Sequence, residues 1–485
     1  MSQTRQMVSH STIYAVGNVS RQLVGFLMLP IYTSYLSPAD YGVIGLLVFL
    51  VSLFEILLGG HMFQAVPKFY HEQDSLDQKN AVINTAFFVT SVFSGFACLL
   101  MAGLSTPLSE VIFGDPQYSI YVIIFSALIL THALEQYSLT YIRILKKPWT
   151  FFNFNMAKLA LQLFLNVFTI VFLEWGLMGL ALSSLISSVI IALILTAYTL
   201  YHTGFKTNKE MGLKILRFSW PLWLSGLIGL YIGSSNRYFI RIFSSLDEVG
   251  LFELAAKFGA IVGVLVWSPF AQYWQTERFA IARNENPYPA YSIAFRMITA
   301  LLLISGVWVS TFSPIAIKLM SADSFHPATT AVPFLILAGV FQCLTIFNNF
   351  SFLITNNTFE LTKNNLFTAV IITLFYASLI PTFGFVGAAA GLALGSMAQY
   401  CYALHVGKRF YPLKIDQAGL SAACLVFSGY AVIDYFMISQ SPSLFGILVK
   451  TLSATMASLI IAAVLFRREE WIESRDYVSA LIKKN

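Results

Sequence analysis

The feature that most constrains the fold is a succession of apolar segments, each about as long as a bilayer is thick. Of the 485 residues, 57% are hydrophobic and only 11% are charged, and an average soluble chain carries about twice that charged share. A helix needs ~20 apolar residues to cross the hydrocarbon core. Hydropathy therefore predicts an all-α polytopic membrane protein with about fourteen transmembrane helices. The predicted spans are 11–35, 39–65, 81–103, 118–142, 151–173, 177–201, 213–236, 250–274, 291–313, 329–352, 365–381, 386–407, 419–439 and 445–466.

A single gap-free offset of 208 residues relates the first half of the chain to the second. The matched pairs include Ser37 with Ser245, Gly42 with Gly250, Gly176 with Gly384, and Gly179 with Gly387. Several matches at one offset indicate a duplicated helix bundle. The glycines lie at matching short turns, where a positive φ or a close approach of two backbones favours glycine.

The repeat predicts the domain organisation. An offset of six spans keeps the orientation of the helices, so we expect two six-helix lobes related by a pseudo-twofold axis along the membrane normal. The predicted parts are 1–203 (helices 1–6), 204–411 (helices 7–12), 412–466 (helices 13 and 14) and a cytoplasmic tail, 467–485. In such duplicated bundles the substrate cavity lies between the lobes.

The distribution of lysine and arginine predicts the orientation in the membrane. If the N-terminus is cytoplasmic, 22 of the 29 basic residues fall on the cytoplasmic side and 3 outside, as the positive-inside rule requires. Both termini are then cytoplasmic. The three outer residues are Arg237, Arg241 and Lys318, and the four within spans are Arg21, Lys158, Lys257 and Lys450.

Signatures of catalysis and of nucleotide binding are missing from the sequence. It contains no P-loop, no HExxH and no GxSxG, and each of these carries a specific chemistry. The four cysteines lie inside apolar runs and have no metal-site spacing. We therefore expect a protein that is not an enzyme, with no catalytic residue, metal site or cofactor and no nucleic-acid partner. Any transport is driven by a gradient or a potential, or is passive.

Charged groups inside the spans are the candidate functional residues, because one charge at a helix centre costs ~3 kcal/mol on insertion scales. Arg21 lies near the middle of the first span, and Glu55 in the second span is its expected partner. Glu253 and Lys257 are four residues apart, so they either face a cavity or satisfy each other on one helix face. Lys158 is a third candidate cation.

Two further acids have simpler interpretations. Asp434 is expected to pair with Lys450 near the outer interface. Glu135 is expected to extend toward the cytoplasm.

Neutral polar and aromatic side chains accompany the charges. Amides and aromatic faces suit sugar hydroxyls and C–H groups, and they also serve helix packing and interfacial anchoring. The candidate sugar contacts are Asn18, Trp220, Tyr231 and Asn349.

The chain resembles a known group, the polysaccharide-transporter (O-antigen, Wzx-type) flippases of the multidrug/oligosaccharidyl-lipid/polysaccharide (MOP) flippase superfamily. The resemblance is carried by Arg21, LPIYTSYLSPADYGVIGLL (29–47), SLFEILLGG (52–60), SSNRYFI (234–240), DEVGLFELAAKFGAI (247–261) and WSPF (267–270). The family commonly has an Asp-Arg pair where this chain has Asn236-Arg237, so this chain has no carboxylate at that position.

The resemblance implies a flippase that moves an undecaprenyl-diphosphate-linked oligosaccharide from the cytoplasmic to the periplasmic leaflet of a bacterial inner membrane. Its cavity cations would be Arg21, Lys257, Lys158 and Arg237, and its coupling or charge partners would be Glu55 and Glu253. The expected partners are the lipid-linked oligosaccharide, membrane lipids, and a polysaccharide polymerase with its chain-length machinery.

Three alternatives stay open. A multidrug extruder of the same superfamily would favour acids facing the cavity, since its substrates are cations. A lipid II exporter would have a similar cavity for different sugars. A membrane-embedded polysaccharide polymerase or acyltransferase would need large outer loops or a catalytic loop, and the outer loops here are short.

Overall fold

The computed structural model describes residues 25–58, 63, 65–438 and 444–466. Regular structure within these residues is helical. The chain divides into two compact units, Met1–Gly250 and Leu251–Asn485. The four-part division that the repeat predicts stays a prediction.

The first unit is a bundle in which one long helix, α6, packs between α4 and α8, while α7 packs on α8 and α2 contacts α4, α6 and α9. Its helices are α1 (Leu29–Tyr35), α2 (Pro38–Leu58), α3 (Val66–His71), α4 (Leu76–Gly103), α5 (Ser105–Phe113), α6 (Ser119–Ile144), α7 (Pro148–Val167), α8 (Gly176–Thr203), α9 (Lys209–Ser234), α10 (Asn236–Phe243) and the start of α11 (Leu246–Val262). A π-helical turn, Phe168–Phe172, follows α7.

Helix starts in this unit follow capping chemistry. The Asp40 backbone N–H donates to Ser37 Oγ at 3.1 Å, and the Ser37 backbone N–H donates to the Asp40 carboxylate at 3.0 Å. This reciprocal pair satisfies two donors that the helix leaves unpaired. At the matched position of the repeat, the Glu248 backbone N–H donates to Ser245 Oγ at 3.3 Å. The two repeated segments thus start α2 and α11 with the same kind of serine cap.

The repeated glycines Gly42 and Gly250 bring these two helix starts into backbone contact. A Cβ added to Gly42 would lie 2.1 Å from the Leu246 carbonyl oxygen, and one added to Gly250 would lie 1.9 Å from the Pro38 carbonyl oxygen. Neither position has room for a methyl group. Glycine is therefore required at both positions for close approach.

The second unit is built around α14, which packs along α16, while α13 contacts α14, α17 and α18. Its helices are the rest of α11, α12 (Ser268–Ile281), α13 (Tyr288–Met320), α14 (Val332–Asn348), α15 (Phe350–Ile354), α16 (Phe359–Gly407), α17 (Gln417–Ile438) and α18 (Leu444–Leu465). The expected pair of Asp434 on α17 and Lys450 on α18 is confirmed, with Nζ 3.2 Å from Oδ1.

Helix α16 is two antiparallel arms joined at one residue. Gly384 interrupts it with φ 55° and ψ −136°, and its repeat counterpart Gly176 has φ 50°. Beyond the break, a Cβ on Gly387 would lie 2.3 Å from the Leu379 carbonyl oxygen, and one on Gly395 would lie 2.2 Å from Ile372. The second arm therefore lies against the first through a glycine face, as expected for small residues at helix interfaces in membranes.

Eleven helices in the described part of the chain are long and apolar enough to cross a membrane. They count α16 once, although its two arms match the predicted spans 365–381 and 386–407. Helix α9 matches the span 213–236 but is not among the eleven. The first predicted span lies mostly outside the described residues. The fold class is confirmed as an all-α polytopic membrane protein, and the total of fourteen spans stays a prediction.

Candidate functional site

Polar side chains of the first unit surround a cavity of about 720 Å³. This volume lies within the ~300–1,000 Å³ typical of ligand sites. The lining residues come from α2, α4, α6 and α7 and from Phe63. Since Ile129 and Arg143 both line it and lie fourteen residues apart on α6, the cavity extends ~21 Å along that helix.

Helical periodicity explains why these residues meet. Side chains three and four positions apart lie on one face of a helix, and two helices present polar faces of this kind to the cavity. The face of α6 carries His132, Gln136, Leu139 and Arg143, and the face of α7 carries Phe151, Asn155, Lys158 and Gln162.

An ion pair on one wall of the cavity joins α6 to α7. Lys158 Nζ donates to both carboxylate oxygens of Glu135, at 2.9 and 2.6 Å, and its distance to Ser188 Oγ is 3.3 Å. Ser188 Oγ in turn donates to Glu135 at 2.8 Å, and Thr131 Oγ1 donates to Ser188 Oγ at 3.1 Å. The carboxylate thus accepts from two partners, which offsets much of the cost of placing it within a membrane span. The expected extension of Glu135 to the cytoplasm is wrong, because Lys158 holds its carboxylate within the bundle.

A second acid–base contact lies between α2 and α6. Glu55 Oε1 is 2.9 Å from His132 Nδ1, and the side chains are 23% and 42% exposed, respectively. The contact is an ion pair when the imidazole is protonated and a hydrogen bond when it is neutral. The partner expected for Glu55 was Arg21, which lies outside the described residues.

Hydroxyl, amide and aromatic groups complete the lining. Thr90 Oγ1 donates to the Tyr137 hydroxyl at 2.7 Å. Arg143 lies at the end of α6, where it donates to Thr140 Oγ1 at 2.9 Å and its guanidinium is 5.8 Å from the centre of the Phe151 ring. The cavity therefore combines paired charges with groups that both donate and accept hydrogen bonds.

Two of the predicted site residues, Lys158 and Glu55, line this one cavity. Arg237 lies on α10, Tyr231 is half-buried on α9, and Trp220, also on α9, is 59% exposed. None of these three is among the cavity-lining residues.

The remaining predicted residues fall in the second unit or outside the description. Glu253 and Lys257 are half-buried on α11 beyond the unit boundary. Asn349 joins α14 to α15. Arg21 and Asn18 lie outside the described residues, so the functional roles of all these residues stay predictions.

Sequence reasoning missed His132, Gln136 and Arg143 as site residues. A signal was present, since these polar side chains recur along one face of an otherwise apolar helix. Gln136 carries no charge, so the cost of burying charge does not single it out.

The family described as polysaccharide biosynthesis protein matches residues 7–273, more than half of the chain. The Lsg locus putative protein 1 of Haemophilus influenzae (strain ATCC 51907 / DSM 11121 / KW20 / Rd) is 22% identical over 351 residues, which cover 68% of this chain and 83% of that protein.

Solved structures share the fold over most of the chain. Lipid II flippase MurJ in an inward closed conformation superposes with a TM-score of 0.72 at 12% identity, covering 96% of this chain and all of that one. An inward-facing multidrug resistance MATE family transporter of the MOP superfamily gives 0.64 at 17% identity, covering 81% and 97%. At such identities the likeness is one of fold, and the fold is that of MOP superfamily transporters.

Proposed function

This chain belongs to the polysaccharide biosynthesis protein family, and we propose that it is a flippase for a polyprenyl-diphosphate-linked oligosaccharide, an O-antigen or similar repeat unit. It moves this lipid from the cytoplasmic to the periplasmic leaflet of a bacterial inner membrane. The family supplies the link to polysaccharide, and the transporter fold supplies the link to translocation.

The observation that carries the proposal is the polar cavity within helices that are apolar enough to cross a membrane. A sugar–diphosphate head cannot enter hydrocarbon, because its polar groups would lose their water without replacement. Side chains such as Gln136, Asn155 and Gln162 offer both donors and acceptors. A cavity lined by these groups substitutes for that water.

Transport follows alternating access, in which the cavity opens first to one side of the membrane and then to the other. A potential that is negative inside favours outward movement of an anion by ~2.3 kcal/mol per charge per 100 mV. Two phosphate charges therefore bias the direction. The proposed head-group cations are Arg21, Lys257, Lys158 and Arg237, and the proposed coupling residues are Glu55 and Glu253.

The same fold is shared with a multidrug transporter and a lipid II flippase, so fold alone does not choose the cargo. A cation extruder needs an available carboxylate, whereas Glu135 is held by Lys158 and Glu55 contacts His132. Family membership favours an oligosaccharide lipid over drugs. A polymerase or acyltransferase is disfavoured by the transporter fold.

The proposal is tested by removing the chain from cells that normally make it and by restoring the chain or its variants. Loss of the chain is expected to abolish surface polysaccharide and to leave the lipid-linked oligosaccharide accumulated at the cytoplasmic leaflet. At matched protein level, Arg21→Gln is expected to abolish display and Arg21→Lys to retain part of it. Normal display in cells lacking the chain would refute the function, and normal display with Arg21→Gln would remove that residue from the head-group role.

A further inference from the structure

Three basic residues lie close together in sequence at the Arg143 end of the cavity. Arg143 lies in the last turn of α6, and Lys146 and Lys147 follow in the turn before α7; all three are exposed. The Arg143 guanidinium lies over the Phe151 ring, and Lys147 Nζ donates to the Tyr198 hydroxyl at 3.2 Å. This end, called here the mouth, is the one that the charge distribution of the sequence predicts to be cytoplasmic.

Among the described residues, the lining of the cavity interior has no excess of positive charge. Beyond Arg143, its charged lining residues are Glu55, Glu135 and Lys158, together with His132. Their formal charge is −1 with a neutral imidazole and zero with a protonated one. A diphosphate placed there would meet two carboxylates and at most two cations, each already in contact with a carboxylate.

The interior does fit uncharged polar groups. Gln136 is exposed on the cavity face of α6, and Asn155 and Gln162 line the facing helix α7. Each amide can donate and accept, as a ring of sugar hydroxyls requires. The Phe63 ring adds an apolar face for sugar C–H groups.

We propose that the interior of this cavity is a glycan subsite, which takes the sugars of the lipid-linked oligosaccharide while the phosphates stay at the mouth beside Arg143, Lys146 and Lys147. The inference rests on the proposed function and assigns the two chemical parts of its substrate to two zones. It changes one role proposed above, because Lys158 then lies in the sugar zone and is not a head-group cation. The order matches the lipid itself, whose phosphates lie at the membrane surface. Gln136 lies seven residues from Arg143 on α6, so a sugar beside Gln136 would be ~10 Å deeper than the mouth.

Binding to the purified full-length protein with two probes tests this division. One probe is the lipid-linked oligosaccharide extracted from cells that lack the chain, and the other is undecaprenyl diphosphate without sugar. Gln136→Leu is expected to weaken binding of the first probe about tenfold, the size expected when polar groups of a buried ligand lose a partner, and to leave the second unchanged. Arg143→Gln is expected to weaken both probes by a similar factor.

Controls separate the subsite from folding and from the function itself. Gln117→Leu, at an exposed site near the start of α6, is expected to bind both probes as the wild type does. Binding of the sugar-free probe by Gln136→Leu reports that this variant is folded, and Gln162→Leu repeats the test from α7. If both interior variants bind the sugar-bearing probe like the wild type, or weaken both probes alike, the glycan subsite is refuted. If cells lacking the chain accumulate no lipid-linked oligosaccharide, the proposed function itself fails.

Discussion

Removing Lys158 tests whether its pair with Glu135 is a structural joint or a ligand site. Lys158→Met leaves a carboxylate whose side chain is only 9% exposed without its cation. The loss includes two short charge-assisted hydrogen bonds, each worth ~1.5–3 kcal/mol. The Lys158 side chain is 24% exposed and lines the cavity, so in the variant water replaces part of the lost hydrogen bonding to Glu135. We expect a loss of ~3 kcal/mol, at the low end for breaking a buried pair.

The double variant Lys158→Met with Glu135→Leu is expected to recover most of that stability, because apolar replacement of both partners removes the buried charge altogether. The assay is thermal unfolding in detergent, followed by a thiol-reactive dye that reports exposure of Cys98 and the buried Cys343. For a unit of this size the single variant should melt ~6–12 °C below the wild type, from ~2–4 °C per kcal/mol. Lys206→Met breaks an exposed pair with Asp77 and should cost less than ~1 kcal/mol.

If the stability losses of Lys158→Met and Glu135→Leu simply add in the double variant, the structural interpretation of the pair is refuted. The double variant also separates stability from transport. If Lys158 binds the phosphate head, the double variant melts normally and fails to display polysaccharide. Normal display would remove Lys158 from the head-group role.

Three further predictions concern the helices. Gly42→Leu should destabilise the protein by more than ~1–3 kcal/mol, the usual cost of overpacking, because its Cβ would overlap a backbone carbonyl. The control Gly229→Ala adds a Cβ with nothing within 4 Å and should melt within a few degrees of the wild type. Equal melting temperatures of the two variants would contradict the close contact. Gly384→Ala should cost ~1–3 kcal/mol for strained backbone, read as a lower melting temperature, and an unchanged melt would mean that the break does not need glycine. Lys450→Met should leave the buried Asp434 carboxylate without its cation and lower stability by ~3 kcal/mol. Adding Asp434→Leu should restore most of that stability, and no recovery would contradict the pair.

Local chemistry explains which parts of this fold were predictable from sequence. Ser37 and Ser245 precede acidic residues at capping distance, and Gly176 and Gly384 mark turns that need a positive φ. Such signals lie within a few residues of one another. They specify helix starts and breaks without knowledge of the packing.

Pairing across the bundle was harder to predict. Glu55 and His132 are 77 residues apart in sequence and meet only because α2 packs on α6. From charge alone, Arg21 was the expected partner of Glu55. Gln136 carries no charge, so the cost of burying charge could not single it out. The face that a helix turns to a cavity depends on its neighbours, and a single sequence does not contain that information.

The one-residue joint at Gly384 has a mechanical consequence for α16. The two arms are linked by a single residue and lie in close contact at Gly387 and Gly395. We therefore expect them to move together during a rearrangement of the second unit, with bending at other joints.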